Sequence, residues 1–100
     1  MQLNLTGKNF QITPAIKTHS EEKFNQLFKR YTPVNNVHVV LHIENMDHCA
    51  EGTLHFHGTE IHAASKASDM YIAINELVDK LSDQMHKHKE KMIDSHRHSS

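Results

Sequence analysis

The sequence predicts an α+β domain, ordered β-α-β-β-β-α, with two helices packed on one face of a four-stranded sheet. Three observations carry this. Two long segments place apolar residues at helical spacing, Ile16 to Tyr31 and Met70 to Met92. Three stretches between them alternate apolar and polar residues with a period of two. A shorter alternating stretch, QLNLTG, precedes the first helix. Each helix has one apolar side and the sheet one apolar face, so stacking both helices on that face buries all three.

Taken in order, Leu3 and Leu5 alternate with polar neighbours in a strand over residues 2–7 that ends at Gly7. Thr13-Pro14 is a helix start, with Thr as N-cap and Pro where its missing N–H is harmless. The first helix runs from Pro14 to about Tyr31, with Ile16, Ser20, Phe24, Leu27, Phe28 and Tyr31 inward. Thr32-Pro33 ends it, because the residue before proline avoids helical angles. Asn35-Asn36 reads as a turn. Val37 to Glu44 is a half-buried strand, Asn45 to His48 a polar connector, and Cys49 to His57 a second strand. Gly58-Thr59 reads as a tight hairpin turn and Glu60 to Ala64 as the last strand. Ser68 is the expected cap of the second helix, with Asp69 favourable to its dipole. The expected domain is 1–94, with residues 95–100 a disordered polar tail.

One hundred residues suit one domain with one modest core. Cys49 is the single cysteine, so no internal disulfide forms, and a lone thiol suits a reducing compartment. No apolar run approaches the ~20 residues of a membrane span, and MQLNLTGKNF has no signal-peptide character. A cytoplasmic protein without membrane partners is expected. The net charge is −1, but it is unevenly spread. Residues 1–32 balance to +3, residues 33–79 to −6, and residues 80–100 to +2. If the ends meet in space, one face can meet phosphate.

The second helix has three faces. Beside its apolar stripe, Lys80, Gln84, Lys87 and Lys91 line one edge, while Glu76, Asp79, Asp83 and Glu90 gather away from the core. On the first helix Lys23 and Arg30 stand seven residues apart on one edge. Packed side by side, the two basic edges would flank a shared groove. Lysines so spaced can follow a phosphate backbone. No aromatics interleave with them, so contacts to phosphate and shape are implied rather than base stacking. The competing reading is a solvated border where lysine stems cover the core's edge.

Eleven histidines raise a metal reading. Spacing opposes it. His38 and His42 lie ~13 Å apart along a strand. His86 and His88 point ~200° apart on a helix. No metal site is expected, and adventitious binding is the reading that spacing leaves. Imidazole titrates near neutrality, so mild acidification would make the chain more positive and favour an anionic partner. Catalysis has no support: Ser20, Ser65, Ser68 and Cys49 lack nucleophile context, and Gly7, Gly52 and Gly58 are isolated. No cofactor is expected. From the residues alone the reading is a small binding domain, with structured RNA as the anion that fits.

The stretches MQLNLTGKNFQIT, VVLHIE, EIHAAS and DMYIAINELVDKLSDQMHKHKEK resemble the short ribosome hibernation-promoting factors, which belong with the ribosome-associated inhibitor Y. The resemblance runs from Met1 to about Met92. It implies the same β-α-β-β-β-α fold. It also implies a non-enzymatic factor, a monomer off the ribosome, that binds the small ribosomal subunit and its rRNA in the mRNA/tRNA channel. Such a factor inhibits translation under stress or in stationary phase and promotes pairing of idle ribosomes together with ribosome modulation factor. Its RNA-facing residues would match Lys23, Lys29 and Arg30 on the first helix and Lys80, Gln84, Lys87, Lys89 and Lys91 on the second. Asp83 departs from the family, which usually has arginine there, so one phosphate contact is expected to be missing. The short tail favours the short branch over inhibitor Y and over the long branch with its extra dimerisation domain. The alternatives left open are a general structured-RNA-binding domain and a His-rich metal-handling protein.

Overall fold

A computed structural model of the chain describes residues 2–32 and 34–98, excluding the side chains of Asn35 and of residues 90–98. The elements are β1 (Gln2–Lys8), α1 (Pro14–Arg30), β2 (Val34–Glu44), β3 (Asp47–Phe56), β4 (Thr59–Ala67) and α2 (Met70–His98). They form one four-stranded sheet in the order β1-β2-β3-β4. β1 runs parallel to β2, with Leu5 opposite Val39; the other pairs are antiparallel, with Ala50 opposite Leu41 and Ser65. A parallel pair needs a crossover, and α1 supplies it.

The expected β-α-β-β-β-α order stands, and several boundaries shift for local reasons. Asn35-Asn36 is not a turn: both residues lie in β2, where the register slips between Val34 and Val37 as a β-bulge. The polar connector over 45–48 shrinks to Asn45-Met46, because Glu44 pairs with Asp47 and Asn45 takes a φ of 59°. Asparagine tolerates that left-handed conformation. The next hairpin turns one residue earlier than expected, on His57-Gly58, both at positive φ (51° and 76°), with Phe56 opposite Thr59. Two positive φ values are the type I′ pattern that fits the sheet twist.

Thr13 caps α1 as expected, its hydroxyl accepting from Ile16 N–H at 3.2 Å, with Pro14 first in the helix. At α2 the cap is Asp69 rather than Ser68: its carboxylate accepts from Ile72 N–H at 3.1 Å and its carbonyl from Ala73 N–H at 3.1 Å. The carboxylate thereby also meets the positive end of the helix dipole. The α2 backbone continues through His98, past the end of the apolar stripe and into the segment expected as a polar tail. Nothing after Met92 is a glycine or proline, so no residue breaks the backbone ladder before the described residues end.

One core lies between the sheet and the helices. Phe24, Leu27 and Phe28 of α1 and Ile74, Leu77, Leu81 and Met85 of α2 are buried against Val37, Val39, Leu41, Leu54 and Phe56. α2 sits closely on β3 at Gly52, where a Cβ would lie 3.2 Å from Leu77 Cδ2 and 3.3 Å from Leu81 Cδ1. Ser65 of β4 is buried and donates to the Ala73 carbonyl at 2.6 Å, tying sheet to helix.

Candidate nucleic-acid interface

The helix layer carries the predicted cations, and local spacing decides where each falls. On α1, His19, Lys23, Gln26 and Arg30 recur at steps of four, three and four, so they share one edge. That edge faces α2. His19 Nε2 lies 2.8 Å from Asn75 Oδ1, its ring meets Tyr71 edge-on at 5.1 Å, and Gln26 and Arg30 line a cleft with Val78, Asp79 and Ser82. Since an amide oxygen can only accept, His19 Nε2 carries the proton of that bond. Lys29 is exposed on the outer side of α1.

On α2 the basic edge turns away from α1. Lys80 Nζ donates to the Ala64 carbonyl at 2.8 Å, and Gln84 Nε2 donates to the His62 carbonyl at 2.8 Å. Both carbonyls belong to β4, which ends the sheet. The expected shared groove is therefore corrected. The cleft between the helices has Arg30 on one wall and Asp79 and Ser82 on the other, while Lys80 and Gln84 border the far side of α2. The reason lies in the sheet order: β4 is an edge strand whose outward carbonyls need donors, and the nearest long donors are on that margin of α2. Lys87 follows Lys80 by seven residues and falls on the same margin by spacing, and Lys89 falls on the α1 side. Both are exposed. The side chain of Lys91 lies outside the described residues.

Charge balance separates the two sides of the molecule. The ion pairs among the described residues are His42–Glu44 and His55–Glu60, each at 3.9 Å, and Lys66–Glu44 at 3.6 Å. All five residues lie on the sheet face away from the helices, by their alternation with buried Leu41, Ala50, Leu54 and Ile61. Among the described residues, none of Lys23, Lys29, Arg30, Lys80, Lys87 and Lys89 is in an ion pair. Among the described residues the helix layer thus presents cations without carboxylate partners, which leaves them available to a polyanion. His38, His55, His57 and His62 are exposed, and all but His57, which sits in a hairpin turn, lie on the opposite sheet face.

Two arrangements were not legible in the spacing. His88 is half-buried, 5.9 Å from the Phe56 ring and stacked 6.3 Å from His57. His42, Glu44 and Cys49 bring a nitrogen, an oxygen and a sulfur within 4.8 Å of one another. Strand register creates the second cluster, and register does not appear in linear spacing.

With this geometry in hand, the chain's relatives are informative. Residues 3–93 match the family described as sigma 54 modulation protein / S30EA ribosomal protein. The ribosome hibernation promoting factor of Escherichia coli (strain K12) is 46% identical over 92 residues, which is 92% of this chain and 97% of that one. The ribosome hibernation promoting factor of Azotobacter vinelandii is 38% identical over 94 residues, covering 94% and 88%. Among solved structures, a ribosomal subunit interface protein from Coxiella burnetii superposes with a TM-score of 0.81 at 28% identity, covering 90% of this chain and 99% of that one. The N-terminal domain of Thermus thermophilus Protein Y gives 0.78 at 30% identity, covering 87% and 98%. Sequence likeness over nearly the whole chain and the same two-helix, four-stranded fold place this protein in the sigma 54 modulation protein / S30EA ribosomal protein family.

Proposed function

We propose that this chain is a ribosome hibernation factor that binds the small ribosomal subunit through its helix layer. The family is ribosome-associated and non-enzymatic. The observation that carries the reading is the set of helix cations, Lys29, Arg30, Lys80, Lys87 and Lys89 exposed and Lys23 half-buried, that have no ion pair among the described residues, in a chain related along its length to hibernation promoting factors. In this reading Lys23, Lys29 and Arg30 of α1 and Lys80, Gln84, Lys87, Lys89 and Lys91 of α2 face rRNA. The domain occupies the channel of mRNA and tRNA, excludes both, and so inhibits translation. It favours pairing of idle ribosomes in stress or stationary phase, with ribosome modulation factor as an indirect partner. It acts in the cytoplasm and is a monomer off the ribosome. No helix among the described residues is long and apolar enough to cross a membrane.

Mechanistically the domain works by charge, shape and occupancy. The sheet holds two helices as a rigid raft, and long basic side chains reach from it to phosphates. Contacts to phosphate fix position without reading sequence. A structured RNA then selects the domain by matching the spacing of its phosphates to the raft. Lys80 has three donors and uses one on Ala64, leaving two for phosphate oxygens.

The test is co-sedimentation with purified small subunits across a salt series, with tRNA as competitor. Wild type pellets at low salt, is released steeply as salt rises, and is displaced by tRNA. The variant Arg30→Gln/Lys87→Glu/Lys89→Glu, whose three side chains make no hydrogen bond among the described residues, loses the pellet while keeping its circular dichroism, with at most a few degrees off its Tm because Arg30 leaves the last turn of α1. Wild-type pelleting by that variant refutes the helix layer as the contact. Equal affinity for any RNA duplex points instead to a general structured-RNA binder.

A further inference from the structure

We infer that the sheet face away from the helices carries a binding site for a zinc-class divalent cation, formed by His42, Glu44 and Cys49. His42 and Cys49 are direct partners across the β2–β3 pair, so their side chains rise side by side. Glu44 follows His42 by two residues in β2, so it stands on the same face, next to the Asn45-Met46 turn. One ligand atom from each of the three lies within 4.8 Å of the others, the one such group among the described residues. His42 Nε2 and Glu44 Oε2 are 3.9 Å apart. Tetrahedral zinc sets nitrogen, oxygen and sulfur ligands about 3.4–3.6 Å from one another. Closing the cluster takes about 1 Å of side-chain movement, within reach of ordinary torsions.

The donor set fits that ion class. A thiolate, an imidazole and a carboxylate suit zinc, and are a poor match for magnesium or calcium, which take oxygen ligands. Three protein ligands leave a fourth position to water. The Cys49 thiol is buried and its sulfur lies 3.8 Å from the Asp47 carbonyl oxygen, a weak contact that a metal bond easily replaces. His42 Nδ1 is buried and has no hydrogen-bond partner among the described residues. On binding, the Cys49 S–H gives its proton to solvent and the sulfur bonds the ion. A thiolate and a carboxylate then balance the two positive charges. Lys66 opposes this: it pairs with Cys49 across β3–β4, and its Nζ lies 3.6 Å from Glu44 Oε2, where the ion would sit. The site therefore binds by displacing an ammonium, which keeps its affinity below that of a structural zinc site.

The site faces away from the helix layer, so its test is independent of ribosome binding. Cobalt(II) is the probe, added to the reduced full chain. Expected is one cobalt per chain with a near-ultraviolet thiolate-to-cobalt charge-transfer band, release of one proton, and loss of the band on adding zinc. Zinc also slows the reaction of Cys49 with a thiol reagent. Cys49→Ser removes the band. Glu44→Gln, at an exposed position, weakens binding about tenfold or more, and Lys66→Gln strengthens it. His96→Ala/His98→Ala leaves the band unchanged. No charge-transfer band in wild type, or equal cobalt affinity in wild type and Glu44→Gln, overturns the proposal and assigns metal binding to surface histidines.

Discussion

Replacing Gly7 by alanine tests the fold where the chain leaves β1, and Gly52→Ala is its internal control. Both changes add one methyl group and both remove a similar amount of unfolded-state freedom, worth about 0.4–1 kcal/mol in favour of folding. They differ in what the methyl meets. At Gly52 the neighbours are the ends of leucine side chains, Leu77 Cδ2 at 3.2 Å, Leu81 Cδ1 at 3.3 Å and Leu77 Cδ1 at 3.4 Å. These yield a few tenths of an ångström by torsion, so the net change should stay within ~1 kcal/mol of zero. At Gly7 a Cβ runs into the Phe10 carbonyl oxygen, and Ile12 Cγ1 lies 3.2 Å away. A carbonyl cannot swing aside without moving its peptide planes. The segment from Asn9 to Ile12 must lift off the sheet edge, and Asn9 already holds a φ of 52°. Phe10 and Ile12 are packed against the core and would move with it. Overpacking against such a neighbour costs about 1–3 kcal/mol or more. We expect Gly7→Ala to lose about 2 kcal/mol, a fall in Tm of ~8–16 °C for a domain of this size. Urea denaturation followed by circular dichroism measures both variants, with equal m values confirming that the same transition is compared. If Gly7→Ala is as stable as Gly52→Ala, the return of the chain over Gly7 is not as described, and the steric reasoning fails.

Other outcomes follow from single contacts. Ser65→Ala removes the 2.6 Å bond to the Ala73 carbonyl, which keeps its place in the helix ladder, so about 1 kcal/mol is lost, read as a Tm about 4–8 °C lower. Asp69→Ala removes the α2 cap and costs about 1 kcal/mol in the same assay. Lys87→Gln should lower the slope of log affinity against log salt by about one in small-subunit binding, while leaving Tm unchanged. Asp83→Arg converts an exposed acid among the helix cations into a base, and should tighten small-subunit binding several-fold at low salt, with the gain vanishing at high salt.

The fold was readable where periodicity is long and punctuation strong. Ile16 to Tyr31 and Met70 to Met85 are buried on the stripes that their spacing defines, and Thr13-Pro14 begins α1 as read. The misplacements share a cause. Asn35-Asn36 carries turn-type residues but supplies a bulge, because the strand resumes pairing on both sides of it. Ser68 and Asp69 are both capable caps, and only the backbone path decides that Asp69 reaches Ile72 N–H. Spacing places Lys80, Gln84 and Lys87 on one edge of α2 and Lys23 and Arg30 on one edge of α1, whereas Lys29 and Lys89 entered only through the family resemblance. The shared groove was not readable, because helix spacing says which residues share an edge but not which neighbour that edge faces. The His42–Glu44–Cys49 cluster was invisible for the same reason: Cys49 is seven residues from His42 in sequence and opposite it only through the hairpin register.

Lys80 and Gln84 show why an edge of this kind is hard to assign from sequence. A lysine margin on a helix serves solubility, packing or a polyanion equally well until its surroundings are known. Here its first task is intramolecular, since it supplies donors to the His62 and Ala64 carbonyls along the free strand of the sheet. That shields β4 from pairing with another chain. The same contacts hold the Lys80 ammonium at a fixed place on the margin rather than letting its four-carbon stem wander. A cation already held in position loses less rotamer entropy when a phosphate arrives. Lys80→Gln should therefore lower both stability and small-subunit affinity, whereas Lys87→Gln lowers affinity alone. A Lys80→Gln variant that melts earlier yet binds with wild-type salt dependence would confine Lys80 to edge protection and move the phosphate contacts of α2 to Lys87 and Lys89.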